Sequence, residues 1–221
     1  LKGGSEGARE GVRKRIFDIC LSGLGLVVSA PLWLLIVAAI KLEDGGQVFY
    51  AQERVGKDGK VFRIYKFRSM VPDAEKHTGA VWASEHDSRV TVVGRFLRAT
   101  AMDELPQLWS IFKGDMSFVG PRPERPELVE EFSKDIPGFM ERFHVQPGLT
   151  GVAQVYGKYD TPPRHKLKYD MFYIQNRSLA FDLQLIFFSF IITFIGKWED
   201  RGKPRMLRKW RRTTRGLRVK G

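Results

Sequence analysis

Twenty-two consecutive residues, Ile19 to Ile40, carry no charged side chain. A helix of that length reaches about 33 Å, enough for a hydrocarbon core of about 30 Å. The run therefore admits three folds: a spanning helix, a segment that enters and leaves a bilayer on one side, or a buried core helix. Pro31 falls near its middle, withdraws a hydrogen bond from the Val27 carbonyl and leaves arms of about half a bilayer each. Ser29 brings a hydroxyl close to that gap. Arg9, Arg13, Lys14 and Arg15 precede the run, and positive flanks stay cytoplasmic. A true span would then export everything after Lys41, although that part shows no secretory feature. A kinked re-entrant helix over residues 13–41 keeps both flanks and the body on one side and is the favoured reading. The Pro-kinked span and the core helix are the alternatives. No small-x-small cleavage site follows, which argues against a signal peptide.

The formal charge of +12 is unevenly placed. Residues 197–221 hold eleven Lys/Arg against Glu199 and Asp200, a surplus of nine, so the other 196 residues carry only +3. Such a block seeks a polyanion, either nucleic acid or an anionic membrane surface. The apolar, Phe-rich stretch Leu183 to Ile195 is too short to span and runs into this block, with Trp198 and Trp210 beyond it. It reads as an interfacial element, against an ordinary core helix as the plainer alternative. Cys20 is the only cysteine and the four histidines are scattered, which argues against disulfides and a zinc site. The opening Leu1 without Met, followed by a Gly/Ser-rich stretch, suggests a leader over residues 1–12, trimmed or once attached to something longer.

Between the two apolar segments the pattern is that of a compact α+β body over residues 42–196. Val48–Tyr50 and Val61–Tyr65 predict strands joined by a turn at Lys57–Lys60. Val90–Val93 predicts a short strand before a helical Gly94–Arg98, and Val152–Val155 another strand. Helices are expected over Pro126–Lys134 and Lys166–Gln175. Leu105, Leu108, Trp109, Ile111 and Phe112 predict the buried face of a helix ending at Lys113-Gly114.

At the start of that helix stand two adjacent carboxylates, Asp103 and Glu104, ahead of Pro106, whose fixed φ suits a first turn. Adjacent acids repel unless a cation or a task holds them. Lys66, Arg68, Arg89, Arg95 and Arg98 precede the dyad, and Arg122 follows between two prolines that restrict its backbone. Cations around two carboxylates suit phosphoryl chemistry on a diphosphate. One carboxylate can act as nucleophile while the other holds Mg²⁺ and the arginines grip phosphate.

Nine motifs occur in order: Arg-Ile-Phe-Asp (15–18), the Pro31 segment, Gln-Glu-Arg-Val-Gly (52–56), Tyr-Lys-Phe-Arg-Ser-Met (65–70), Asp-Ser-Arg-Val-Thr (87–91), Gly-Arg-Phe-Leu-Arg (94–98), Asp-Glu-Leu-Pro-Gln-Leu (103–108), Gly-Asp-Met-Ser-Phe-Val-Gly-Pro-Arg-Pro (114–123) and Pro-Gly-Leu-Thr-Gly (147–151). Together they make residues 13–195 closely resemble the bacterial sugar transferases, the monotopic polyprenyl-phosphate phosphoglycosyl transferases. The resemblance implies transfer of a phosphosugar from a UDP-sugar to undecaprenyl phosphate with release of UMP, the first membrane step of exopolysaccharide, capsule or other surface glycan synthesis. It implies Asp103 as a nucleophile forming an aspartyl-phosphosugar intermediate and Glu104 as the Mg²⁺ ligand. The implied substrate-binding set is Lys66, Arg68, Arg95, Arg98, Gln107, Pro121, Arg122, Pro123 and Lys158. It also implies a re-entrant helix in the bacterial inner membrane, with the catalytic domain on the cytoplasmic face and interfacial C-terminal helices on an anionic surface. Nucleic acid is not among the implied partners, and a homo-oligomer is left open.

Two departures stand out. The membrane proline is preceded by Ser29-Ala30, where many small members have serine directly before it. Tyr156-Gly157-Lys158 replaces a common Asn-Gly-Arg, which keeps a charge and loses a bidentate fork. Two other functions compete: a non-catalytic membrane scaffold, disfavoured by intact Asp103, Glu104 and Arg122, and a nucleic-acid binder, which rests on the tail alone. The residues do not name the sugar.

Overall fold

Residues Gly4–Asp44 form one long helix, α1, with Pro31 inside it. The computed structural model describes residues 4–72, 74, 87–157 and 161–195, so Lys158 and the basic block 197–221 lie outside the described residues. The leader expected over residues 1–12 is helical from Gly4 onward. Near the proline, Ser29 Oγ donates to the Leu26 carbonyl at 3.4 Å and accepts from the Trp33 indole at 3.1 Å.

Two faces of α1 differ in what they meet. Asp18, Ser22, Ile36 and Ile40 are buried against the body, while Val12, Ile16, Leu24, Val27, Val28, Leu34, Leu35 and Leu42 face outward. Most of the helix's apolar run is exposed, unlike the buried helix of a protein core. Polar contacts pin both ends. Lys14 Nζ pairs with buried Asp182 at 2.5 Å, and Arg15 donates to the carbonyls of Ile111 and Phe112 at 2.6 Å each. At the other end Glu43 Oε1 accepts from the backbone N–H groups of Val92 and Val93, and Asp44 pairs with Arg68.

The body begins with an antiparallel hairpin, β1 (Phe49–Val55) and β2 (Val61–Phe67). The expected turn at Lys57–Lys60 holds Asp58 and Gly59 at positive φ, a conformation that Asp and Gly tolerate. Helix α2 (Val92–Ala99) then takes in the valines expected as a strand. Thr91 decides this: its Oγ1 accepts from the Gly94 N–H at 2.9 Å, so the helix starts at Val92. Val90 alone bridges to Met70. Thr91→Ala should cost about 1 kcal/mol and lower Tm by about 2–4 °C, readable by thermal unfolding.

Helix α3 (Gln107–Lys113) ends at Gly114, whose φ of 100° is open to glycine. Its buried residues are Gln107, Leu108, Ser110 and Ile111. Trp109 and Phe112, expected inside, are exposed and stacked on each other at 5.9 Å. After α3 the chain enters β3 (Ser117–Val119), which pairs in parallel with β4 (Gly148–Thr150). Here two motif glycines pack backbone on backbone: a Cβ on Gly148 would sit 2.0 Å from the Gly120 nitrogen. Between these strands lies α4 (Pro126–Asp135), followed by a 3-10 turn over Phe139–His144.

Residues 152–155, expected as a strand, belong to α5 (Val152–Tyr156). The pairing partner for β3 is the preceding Gly-Leu-Thr, and the chain leaves it at Gly151. Helices α6 (Pro163–Asn176) and α7 (Leu179–Ile195) complete the body. Leu185 and Phe188 of α7 pack with Val119, Val155, Tyr156 and Tyr173 in one core cluster. Leu183, Phe187 and Phe190, at i, i+4 and i+7, remain exposed, so α7 is a core helix on one face and an apolar surface on the other.

Candidate active site

The dyad occupies its own 3-10 turn, Met102–Glu104, just ahead of α3 rather than inside its first turn. Ala101 enters this turn in the left-handed region, with φ of 54°, an unusual conformation for a residue with a Cβ and a candidate functional strain. Pro106 caps the helix that follows.

Three elements bring cations to the two carboxylates. Lys66, near the end of β2, places Nζ 2.5 Å from Glu104 Oε1 and 4.0 Å from Asp103 Oδ2. Arg122, from the loop after β3, donates to the same Glu104 oxygen at 2.8 Å. Arg98 of α2 adds a longer-range attraction on Asp103. Asp103 is only 8 % exposed, whereas the Arg122 side chain is 45 % exposed and can meet a ligand from solvent.

This geometry drives the two acids apart. Burial pushes the Asp103 carboxyl up to about 6; Lys66 opposes this, and the neighbouring Glu104 charge adds to it. Burial also works against an ionised Glu104, but Arg122 and Lys66 overcome it and hold that carboxyl well below its ordinary range. Glu104 in turn makes Arg122 hold its proton more firmly. Like groups driven to different acidities can take different chemical parts. Asp103 is the less solvated and more basic carboxylate, as suits a nucleophile. Glu104 is the permanently charged one.

Among the described residues, no three His, Cys, Asp or Glu side chains converge as a metal cage. Mg²⁺ does not require one, since it binds through one or two carboxylates with waters and substrate phosphates completing the shell. Glu104 and Asp103 fit that donor set, with Glu104 the better ligand because its charge is fixed.

The remaining predicted residues divide. Gln107 is buried, and among the described residues its Nε2 has no hydrogen-bond partner. Pro121 and Pro123 are buried on either side of Arg122. Arg95 and Arg98 lie exposed on α2. Arg68 is engaged by Asp44, which ties the end of α1 to the residue that follows β2. Two buried polar groups not singled out in the sequence lie behind Arg122. Arg142 and Asp170 form an ion pair at 2.8 Å, and Arg142 also reaches the Arg122 carbonyl at 2.9 Å. Their 28-residue separation leaves no local signal.

Residues 9–196 match the family described as bacterial sugar transferase. The chain is 45 % identical over 179 residues to an Aeromonas hydrophila protein named UDP-N-acetylgalactosamine-undecaprenyl-phosphate N-acetylgalactosaminephosphotransferase, covering 79 % of this chain and 42 % of that one. It is 53 % identical over 129 residues to a Bacillus subtilis protein whose name describes an undecaprenyl-phosphate N-acetylgalactosaminyl 1-phosphate transferase, covering 58 % and 72 %. A Klebsiella pneumoniae protein named UDP-glucose:undecaprenyl-phosphate glucose-1-phosphate transferase is 41 % identical over 191 residues, covering 84 % and 41 %. The chain thus spans about two fifths of the Aeromonas and Klebsiella relatives' length.

Proposed function

The chain belongs to the bacterial sugar transferase family, and from that premise we propose that it moves a phosphosugar from a UDP-sugar to undecaprenyl phosphate, in the synthesis of an exopolysaccharide, capsule or other surface glycan. The observation that carries this reading is the asymmetric dyad: a buried Asp103 beside a Glu104 gripped by Lys66 and Arg122.

In the first step an Asp103 oxygen attacks the sugar-bearing phosphorus of the donor. The bridging P–O bond breaks, UMP departs with the electron pair, and an aspartyl-phosphosugar forms. In the second step a phosphate oxygen of undecaprenyl phosphate attacks the same phosphorus. The bond to Asp103 breaks, regenerating its carboxylate and giving the polyprenyl-diphosphate-sugar. Lys66, Arg98 and Arg122 neutralise the diphosphate, whose charge otherwise repels an anionic nucleophile. Glu104 would hold Mg²⁺, which supplies further neutralisation of the phosphates when bound.

Attachment to one side of a membrane is the second part of this reading. Lys14 and Arg15 at one end of α1, and Glu43 and Asp44 at the other, all bind the same body. A helix crossing about 30 Å of hydrocarbon would put those ends in opposite compartments. These contacts support the re-entrant, one-sided disposition, and the basic residues Arg9, Arg13, Lys14 and Arg15 ahead of the apolar run favour the cytoplasmic face of the inner membrane for the body. The outward stripe of α1, exposed Trp109 and Phe112, and the Leu183, Phe187 and Phe190 face of α7 would enter the acyl boundary.

Covalent transfer predicts a burst. With UDP-sugar and Mg²⁺ but no undecaprenyl phosphate, rapid quench should release about one UMP per active chain and then stop. Release that begins only when the lipid acceptor is added would speak for direct transfer instead.

A further inference from the structure

The Arg122 guanidinium must meet Glu104 and a phosphate, yet Pro121 and Pro123 on either side of it have no N–H with which to anchor the loop. The loop is fixed through its acceptors instead. Four successive carbonyls are each held by a different donor. Pro121 O accepts from the Gly148 N–H of β4 at 2.9 Å, and Glu124 O from the Val55 N–H of β1 at 2.9 Å. The middle two are held by arginine side chains: Arg122 O by Arg142 Nη2 at 2.9 Å, and Pro123 O by Arg54 Nη1 at 3.1 Å.

Both arginines are themselves locked from behind. Arg142 is 3 % exposed. Its Nε and Nη2 bind Asp170 Oδ2 of α6 at 3.0 and 2.8 Å, and its guanidinium stands over the rings of Phe139 and Phe143 at 5.0 and 5.7 Å. Arg54 Nη2 binds Gln52 Oε1 at 2.5 Å, and Gln52 Nε2 donates to Tyr50 Oη at 2.9 Å. Taking one guanidinium fully and another partly out of water, each to hold a neutral carbonyl beside its other partner, is an expensive way to stabilise a fold. Their cost is intelligible if what they fix is the position of a third.

We infer that Arg54 and Arg142 are positioning residues, which set where Arg122 meets Glu104 and the donor phosphate without touching either. This rests on the proposed phosphosugar transfer. It also gives the Gln-Glu-Arg-Val-Gly motif a purpose that the dyad chemistry leaves without one.

The test is a double-mutant cycle on Mg²⁺-dependent UMP release by the whole chain in membranes. Arg142→Lys keeps a charge for Asp170 but loses the fork that also reaches the Arg122 carbonyl. With Arg122 present it should lower kcat/KM by about 10- to 100-fold, the scale of an ångström-sized misplacement. In an Arg122→Ala background the same change should cost less than about 3-fold, because nothing remains to be positioned. Arg54→Lys goes through the same cycle with the same expectation and serves where Arg142→Lys does not fold. Equal losses in both backgrounds, or no loss with Arg122 present, would overturn the positioning role alone. A parent chain that releases no UMP would overturn the proposed function, and the inference with it.

Discussion

Asp103→Asn should abolish turnover and yet make the protein more stable. UMP release should fall by about 10⁴-fold or more, the scale on which removal of a nucleophile acts. Asparagine keeps the side chain's size and cannot form the acyl phosphate. The stability gain follows from the sign of the titration shift. The folded Asp103 carboxyl is raised to about 6 by burial, above the ordinary value of about 3.9 for an unfolded chain. Its contribution to stability is then complete below pH 4 and is lost as pH rises through 6. At pH 7 the ionised side chain costs the fold about 1–3 kcal/mol, the attraction of Lys66 already included. The asparagine variant escapes that cost. Its Tm advantage should be absent near pH 4, open between pH 4 and 6, and stay level above. Thermal unfolding at several pH values with nucleotide assays on the same samples checks both halves. A variant equally active, or less stable at pH 7, would remove Asp103 from the centre of the account.

Asp170→Ala should act in the opposite direction on stability. It leaves the Arg142 guanidinium buried at 3 % exposure without its carboxylate, a situation that costs about 3–5 kcal/mol. The nearest remaining anion, Glu124, is 3.9 Å from Arg142 Nη1, too far for a hydrogen bond. Urea unfolding should therefore show a large drop in midpoint. Asp170→Asn, which keeps an acceptor for Arg142, should lose less. A loss below about 1 kcal/mol for the alanine variant would mean that Arg142 finds solvent or another partner, and that the Arg122 loop is less rigidly backed than its geometry indicates.

The contrast between these two aspartates explains what the sequence could and could not disclose. Asp103 sits in a contiguous Asp-Glu-Leu-Pro-Gln-Leu, where adjacent acids are locally improbable and so draw notice. Asp170 lies mid-helix in Lys-Tyr-Asp-Met, and only the fold brings Arg142 to it. Lys66, Arg98 and Arg122 were legible because each stands in a short motif, and the structure brings Lys66 and Arg122 to one Glu104 oxygen. Arg68 stands in such a motif too, but its partner Asp44 belongs to the end of α1, which no local pattern revealed.

Secondary structure failed where β-branched residues outvoted a cap. Val92 and Val93 are helical because Thr91 and Glu43 satisfy the helix's first N–H groups, one of them from a distant element. Burial failed where solvent is not the only alternative to core. Trp109 and Phe112 look like core residues in any pattern, yet they face outward. Along α1 both faces are apolar, so no periodicity separates the side on the body from the side away from it.

The most direct test of the central claim is the identity of the released nucleotide. The whole chain in membranes, with Mg²⁺ and undecaprenyl phosphate, is given UDP-N-acetylgalactosamine, UDP-glucose and UDP-galactose in turn, and the nucleotides are resolved by chromatography. The account predicts UMP, in step with a lipid-linked diphosphate sugar, from at least one donor. Release of UDP in its place would mean that the sugar moves without its phosphate, and would contradict attack by Asp103 on phosphorus.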